Sequence, residues 1–191
     1  MRAYVINLDS RPDRMESFNK NVFPFPIERV SGVVASCGED GCTKSHLGIL
    51  SKQKEFPFMV LEDDCLLIEP WSVVEEAMTQ LPENWDALWL GATLRKPIAR
   101  YSKNLHVLKG AYTTHAIIYN SKRIVDFIVN HHRTPSGTNL DIFLKRIVQE
   151  RFNCFITRPM CVIQMSDWSD IAKVQTSNET EMVANYKKFS I

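Results

Sequence analysis

Short apolar runs bounded by turn residues alternate with stretches whose apolar positions recur every three to four residues, most regularly in the first half of the chain. Arg2 to Leu8 is a strand pattern with Asn7 and Asp9 at its end. Ser10-Arg11-Pro12-Asp13 reads as a helix start, with Ser10 as N-cap, Pro12 in the first turn and Asp13 at capping-box spacing. That helix runs to about Asn21, and Pro24-Phe25-Pro26 breaks the chain. A second strand spans Ile27 to Val34, Cys37-Gly38-Glu39-Asp40-Gly41 is a loop rich in glycine and acid, and a second helix spans Cys42 to Glu55 with Leu47, Ile49 and Leu50 among its apolar positions. Pro57 bounds a third strand, Phe58-Met59-Val60-Leu61, which stops at three consecutive acids, Glu62-Asp63-Asp64, before a second apolar run, Leu66-Leu67-Ile68. A helix from Glu69 to Leu81, opened by Pro70 and closed by Pro82, leads to a fourth strand, Asp86 to Gly91.

The pattern is less regular beyond Gly91. Thr93 to Asn104 is polar and basic, has no period, and reads as a mobile loop, either a lid or an ordinary surface excursion. Leu105 to Leu108 and Ala111 to Tyr119, split by Lys109-Gly110, fit an antiparallel pair or a mixed-sheet edge. Ser121 to His131 and Thr138 to Glu150 are helices, Cys154 to Thr157 and Cys161 to Gln164 are short strands, and the polar tail from Ser177 carries a weak helix from Glu179 to Phe189. Strands alternating with helices predict the α/β class, with a central, mostly parallel sheet flanked by helices and a mixed C-terminal half. A chain of 191 residues suits one domain with a substantial core.

Composition removes several function classes. With 45% hydrophobic and 24% charged residues the chain is ordinary for a soluble globular protein. A net charge of +1 gives no general electrostatic case for nucleic acid or an anionic membrane, so any anion site must be local. No window reaches a membrane-spanning length, and the N-terminus enters a strand pattern without a signal-peptide apolar core. Five cysteines, an odd number without paired spacing, suit a reducing, cytoplasmic compartment. Cys37, Cys42 and His46 resemble part of a zinc set, but Cys154 and Cys161 do not complete one, so the cysteines are read as free thiols.

The acidic triplet is the strongest chemical signal. A buried strand in an open α/β sheet delivers its C-terminal residues to the edge where ligands bind. Three adjacent carboxylates repel one another, and a hard divalent cation would convert that repulsion to attraction. The triplet is therefore either a metal site that receives a diphosphate or a solvated acidic turn. Arg11 and Arg14, near the first helix's N-terminus, mark either an anion site or an exposed charged turn. His46, alone in the first turn of its helix, is read as a packing or capping residue. There is no Gly-rich dinucleotide loop, P-loop or nucleophile elbow, so a nucleotide would be held by strand ends, a metal and a few basic groups.

Four segments in order carry a family resemblance: Tyr4 to Arg14, Gly41-Cys42-Thr43-Lys44-Ser45-His46, Val60-Leu61-Glu62-Asp63-Asp64, and Ser169-Asp170-Ile171 after Gln164. Together they resemble glycosyltransferase family 25, which includes lipooligosaccharide and collagen galactosyltransferases. The resemblance implies a GT-A fold, with a nucleotide-sugar-binding half at about 1–92, an acceptor-side half at about 105–176 and a tail at 177–191. It implies a nucleotide-sugar donor, usually UDP-linked, a Mn2+ or Mg2+ cofactor, a carbohydrate or hydroxylated acceptor, and inversion at the anomeric carbon. Asp64 is then the direct metal ligand, supported by Asp63, with Glu62 reaching the ribose. Asn7, Asp9, Arg11 and Arg14 line the donor pocket, and Ser45 and His46 contact donor or metal or brace the site. No histidine follows His132, so Gln164, Asp167 or water takes the place of the C-terminal histidine that many GT-A enzymes set on the metal. The general base is Asp141, with Asp170 second, although Thr138-x-x-Asp141 is also a capping-box spacing that would make Asp141 a helix start. The competing reading is a non-catalytic sugar-nucleotide or glycan-binding module with the same fold. A phosphotransferase reading fails because Asp9-Ser10-Arg11 lacks the second acid two residues on from the first.

Overall fold

The computed structural model describes residues 1–132, 139–166, 168–169, 174–175 and 178–190. The first half runs β1 (Arg2–Asn7), α1 (Pro12–Phe18), β2 (Glu28–Ser31), α2 (Gly38–Leu50), β3 (Phe58–Glu62), β4 (Cys65–Leu67), α3 (Trp71–Met78) and β5 (Ala87–Trp89). The second half runs β6 (Leu105–Val107), β7 (Ala116–Tyr119), α4 (Lys122–His131), α5 (Leu140–Phe143), a π-helical turn (Leu144–Val148), α6 (Gln149–Arg151), β8 (Cys154–Thr157), β9 (Val162–Gln164), β10 (Trp168–Ser169), β11 (Val174–Gln175) and α7 (Asn178–Phe189).

Seven strands form one sheet in the order β2-β1-β3-β7-β5-β8-β6. β1, β2, β3, β5 and β8 share one direction, and β6 and β7 oppose it. The mostly parallel sheet and the mixed second half are as the hydrophobic pattern predicts. β3, between β1 and β7, is buried on both faces, which is why it reads as a continuous apolar run. Alternate residues divide between two helical layers. Tyr4, Phe58, Val60, Trp89, Ile117 and Tyr119 pack under α2, α4 and α5. Val5, Met59, Leu61, Leu88, Ile118 and Phe155 pack with Phe18 of α1 and with Val74 and Ala77 of α3. Met160, Ile163 and Met182 form a third cluster beneath α7.

Several sequence expectations need correction. Arg11, not Ser10, is the N-cap of α1, because the Arg11 N–H bonds Leu8 O at 2.9 Å and turns the chain one residue later. α2 begins at Gly38, inside the glycine- and acid-rich stretch read as a loop, where Glu39 and Asp40 suit the positive end of the helix dipole. The two apolar segments of 105–119 do not pair with each other: β6 lies at the far edge on β8, whereas β7 inserts between β3 and β5. The basic segment 93–104 is packed down. Leu94 and Ile98 are buried in the core, Thr93 bridges to Tyr112, and Arg95 and Lys103 pair with Glu181 and Glu76. No helix among the described residues is long and apolar enough to cross a membrane.

Candidate active site

The chain leaves β1 towards β2 on one side and returns to β3 on the other, so the carboxyl ends of β1 and β3 flank a topological switch point, where open α/β sheets bind ligands. A cleft of about 390 Å³ opens there. Its walls include Arg14 of α1, the 32–38 segment, Cys42, Ser45 and His46 of α2, the acidic triplet, and Gln164 of β9. A more open groove of about 720 Å³ along the β2 edge, between Arg29, Lys44 and Lys52, contains none of the triplet.

The three acids have different environments. Asp63 is locked: Asn7 Nδ2 donates to its Oδ2 at 2.7 Å, and Arg14 lies 3.1 Å from its Oδ1. Burial pushes the Asp63 pKa up by more than these donors lower it. Glu62 faces α2 and the β7 entry, where its Oε1 lies 3.1 Å from His46 Nε2 and accepts from Thr114 Oγ1 at 2.5 Å. Burial opposes its ionisation, but the His46 and Thr114 contacts outweigh burial and hold its pKa below the ordinary value. Asp64 is the least satisfied. Gln164 Nε2 donates to its Oδ2 at 2.8 Å, while its buried Oδ1 has no partner among the described residues. Burial, then the charge of Glu62, pushes the Asp64 pKa up to about 7. Gln164 arrives because β4 and β9 form an antiparallel pair in which Cys65 faces Gln164, and Met165 N–H also bonds Asp64 O at 2.7 Å.

The other predicted residues divide. Ser45 is a brace, accepting from Val33 N–H at 2.8 Å and donating to Gly41 O at 2.7 Å. Gly41 permits this close approach, since a Cβ there would stand 2.4 Å from Val33 O. Asn7 is buried, and its side-chain amide supports Asp63 rather than lining the cleft. Asp9 and Arg11 do not line the cleft either: Asp9 accepts from Arg29 and Ser31, and Arg11 pairs with Asp13. Asp141 lies in the first turn of α5, whose N-cap is Asn139, and its Oδ1 contacts the Ile142 N–H. Burial, reinforced by the charge of Glu62, raises its pKa, and like Asn7, Asp9 and Arg11 it is not among the residues that line the cleft. Thr138, Asp167 and Asp170 lie outside the described residues.

Three site residues escaped the sequence reading. Thr113 takes a left-handed φ of +79°, uncommon for a β-branched residue, and Trp89 Nε1–H bonds its carbonyl. The adjacent Thr114 thereby meets Glu62. His115 is fully buried behind the triplet, and burial lowers its pKa. Nothing in a Tyr-Thr-Thr-His sequence announces these roles. Cys42, read from the sequence as a free thiol, stands four residues before His46 on one helix face. Burial, then the charges of Glu62, Asp64 and Asp141, pushes its thiol pKa far up.

No family profile matches the chain. No curated protein matches it. Among solved structures the chain is similar to A197 from STIV, at 13% identity over 86% of each chain with a TM-score of 0.52. The shared property is the fold. The apo form of glycosyltransferase GlyE from Streptococcus pneumoniae TIGR4 matches at 12% identity over 80% of this chain and 44% of that one, with a TM-score of 0.49. The inositol-1-phosphate CTP transferase from T. maritima matches at 13% identity over 100% of this chain and 78% of that one, with a TM-score of 0.47. Both of these likenesses are too distant to carry an argument about this chain.

Proposed function

We propose that the chain is a metal-dependent, inverting glycosyltransferase of GT-A type, related to glycosyltransferase family 25. On this reading it moves a hexose or pentose from a nucleotide sugar, UDP-linked, to a hydroxylated carbohydrate acceptor. The observation that carries the reading is the buried Oδ1 of Asp64, without a partner among the described residues, just past the end of a parallel strand and on the wall of a cleft. A carboxylate held there with one oxygen unsatisfied suits a hard cation, and phosphate oxygens and water are the usual remaining ligands of Mg2+ or Mn2+. Asp64 would hold the ion, with Gln164 beside it. When bound, the ion supplies charge neutralisation of the departing diphosphate.

The protein's own groups divide the other tasks. Arg14 and Asn7 fix Asp63 and so fix the turn that presents Asp64. The 32–38 segment and the start of α2 wall the donor side of the cleft. Asp141 is the base. Its raised pKa brings proton affinity closer to that of a working base at neutral pH, and the preceding Leu140 is bonded to Thr43, next to Cys42.

The test is thermal unfolding against a panel of nucleotide sugars with and without Mn2+. A donor at about 100 times its Kd adds about 2.7 kcal/mol. For a chain of this size that is roughly 5–10 °C. The expected result is such a shift with one donor, only with Mn2+, and absent in Asp64→Asn. No shift with any donor, or an equal shift in Asp64→Asn, overturns the reading. Binding without transfer or donor hydrolysis would assign the chain to the non-catalytic alternative.

A further inference from the structure

Cys42, His46 and Glu62 bring a thiol, an imidazole and a carboxylate together on one wall of the cleft. Their ligand atoms all lie within 4.8 Å of one another. In a tetrahedral zinc site, metal–ligand lengths of about 2.0–2.3 Å imply ligand–ligand separations of roughly 3.3–3.6 Å. His46 Nε2 and Glu62 Oε1 are already 3.1 Å apart. The remaining contraction is within reach of side-chain rotation, because Cys42 and His46 are successive turns of one helix and Glu62 faces them from β3. We propose that Cys42, His46 and Glu62 form a second cation site, selective for a thiophilic divalent ion of the zinc class and separate from the hard-metal position at Asp64.

Two observations support a ligand there. His46 is fully buried with its Nε2 on the Glu62 carboxylate, so the ligand nitrogen already faces a ligand oxygen and the ion would take the place of the Nε2 proton, which moves to Nδ1. The donor set is also of the zinc type and differs from that at Asp64: sulfur, nitrogen and one oxygen, against oxygen alone. Three protein ligands leave a fourth position facing the cleft, filled by water or by the Thr114 hydroxyl that already touches Glu62. Binding converts the Cys42 thiol to a thiolate and releases one proton to solvent. Glu62 enters as the carboxylate and His46 as the neutral ring, so the divalent charge is balanced by two ligand charges and no redox step occurs.

The proposal stands whether or not the chain transfers a sugar. The test adds Co2+ to the metal-free full chain and follows the near-ultraviolet thiolate-to-cobalt charge-transfer absorption, then displaces the cobalt with Zn2+. The expected result is a band at one equivalent of cobalt, erased by zinc, lost in both Cys42→Ser and Cys42→Ala, and retained in Asp64→Asn. Zinc affinity in the Cys42 variants should fall at least roughly tenfold. Thermal unfolding of the two Cys42 variants checks that the fold survives, and alanine covers the case in which a buried serine does not pack. Absence of a band in the native chain overturns the proposal. So does a band that survives in a folded Cys42 variant, or one that disappears in Asp64→Asn.

Discussion

Asp64 holds a proton in the native state at a pH where an unfolded aspartate has lost it. Its pKa rises from 3.8 to about 7, through burial first and the charge of Glu62 second. Between those values the native state binds more protons than the unfolded state, so this group's contribution to stability falls as pH rises from about 4 to 7. Glu62 acts in the opposite sense: its lowered pKa stabilises the fold at neutral pH, and that contribution is lost as pH falls through its folded value. In metal-free protein, Asp64→Asn is expected to flatten the decline in Tm across that window and to raise Tm above pH 7. A Tm profile unchanged by the substitution would locate the strain elsewhere. The triplet was visible in the sequence, but its division of labour was not. Which acid turns to Asn7 and Arg14, which to His46 and Thr114, and which is left open depends on a turn two residues long. Spacing along a chain does not encode that.

Elements that repeat a single period were legible, and those whose ends depend on distant partners were not. β1, β3, β5 and α4 fall within a few residues of their hydrophobic patterns. α2 was misplaced at its start because acids and glycine read as loop, although acids in a first turn favour a helix. The segment Thr138 to Glu150 reads as one helix but changes to π-helical turns at Leu144–Val148, a local widening that no periodicity reports. Asp86 shows how one side chain can bind elements together. Buried at the start of β5, it accepts from Ser121 and Arg123 at the head of α4 and from Asn153 N–H at 2.9 Å before β8. Arg123 is largely exposed, so its share is discounted for solvent screening, and the half-buried donors Ser121 and Asn153 N–H dominate. Asp86→Ala should cost about 2 kcal/mol in urea unfolding, read as a lower midpoint with an unchanged slope. A loss below about 0.5 kcal/mol would show that water replaces those bonds.

At the scale of the whole molecule, the sheet is continuous across segments that the sequence assigned to separate halves. β7 and β8 come from the second half and lie beside strands of the first. This interleaving brings α5 onto α2, where Leu140 N–H bonds Thr43 Oγ1 at 3.3 Å, and so carries Asp141 towards a cleft whose acids come from β3. If Asp141 is the base, Asp141→Asn should reduce kcat by about 10²- to 10⁴-fold while leaving the metal-dependent donor shift in Tm intact. Loss of stability with an unchanged rate per folded molecule would instead make it a structural first-turn residue of α5. The parallel topology was predictable from alternating strands and helices. The reversal of β7 was not, because an apolar strand carries no mark of its direction.

That reversal has a consequence for how such a molecule can change over generations. Because β7 runs against β3, its first residues stand on the same rim as the last residues of β1 and β3. The stretch from Leu108 to His115 therefore reaches the acidic triplet, through Thr114 on Glu62, from a connection that passes through no helix. Substitutions there can alter how Glu62 is held while each helical crossover keeps its length. The rigid frame and the variable part of the rim are thus inherited separately, and selection can act on one without remaking the other.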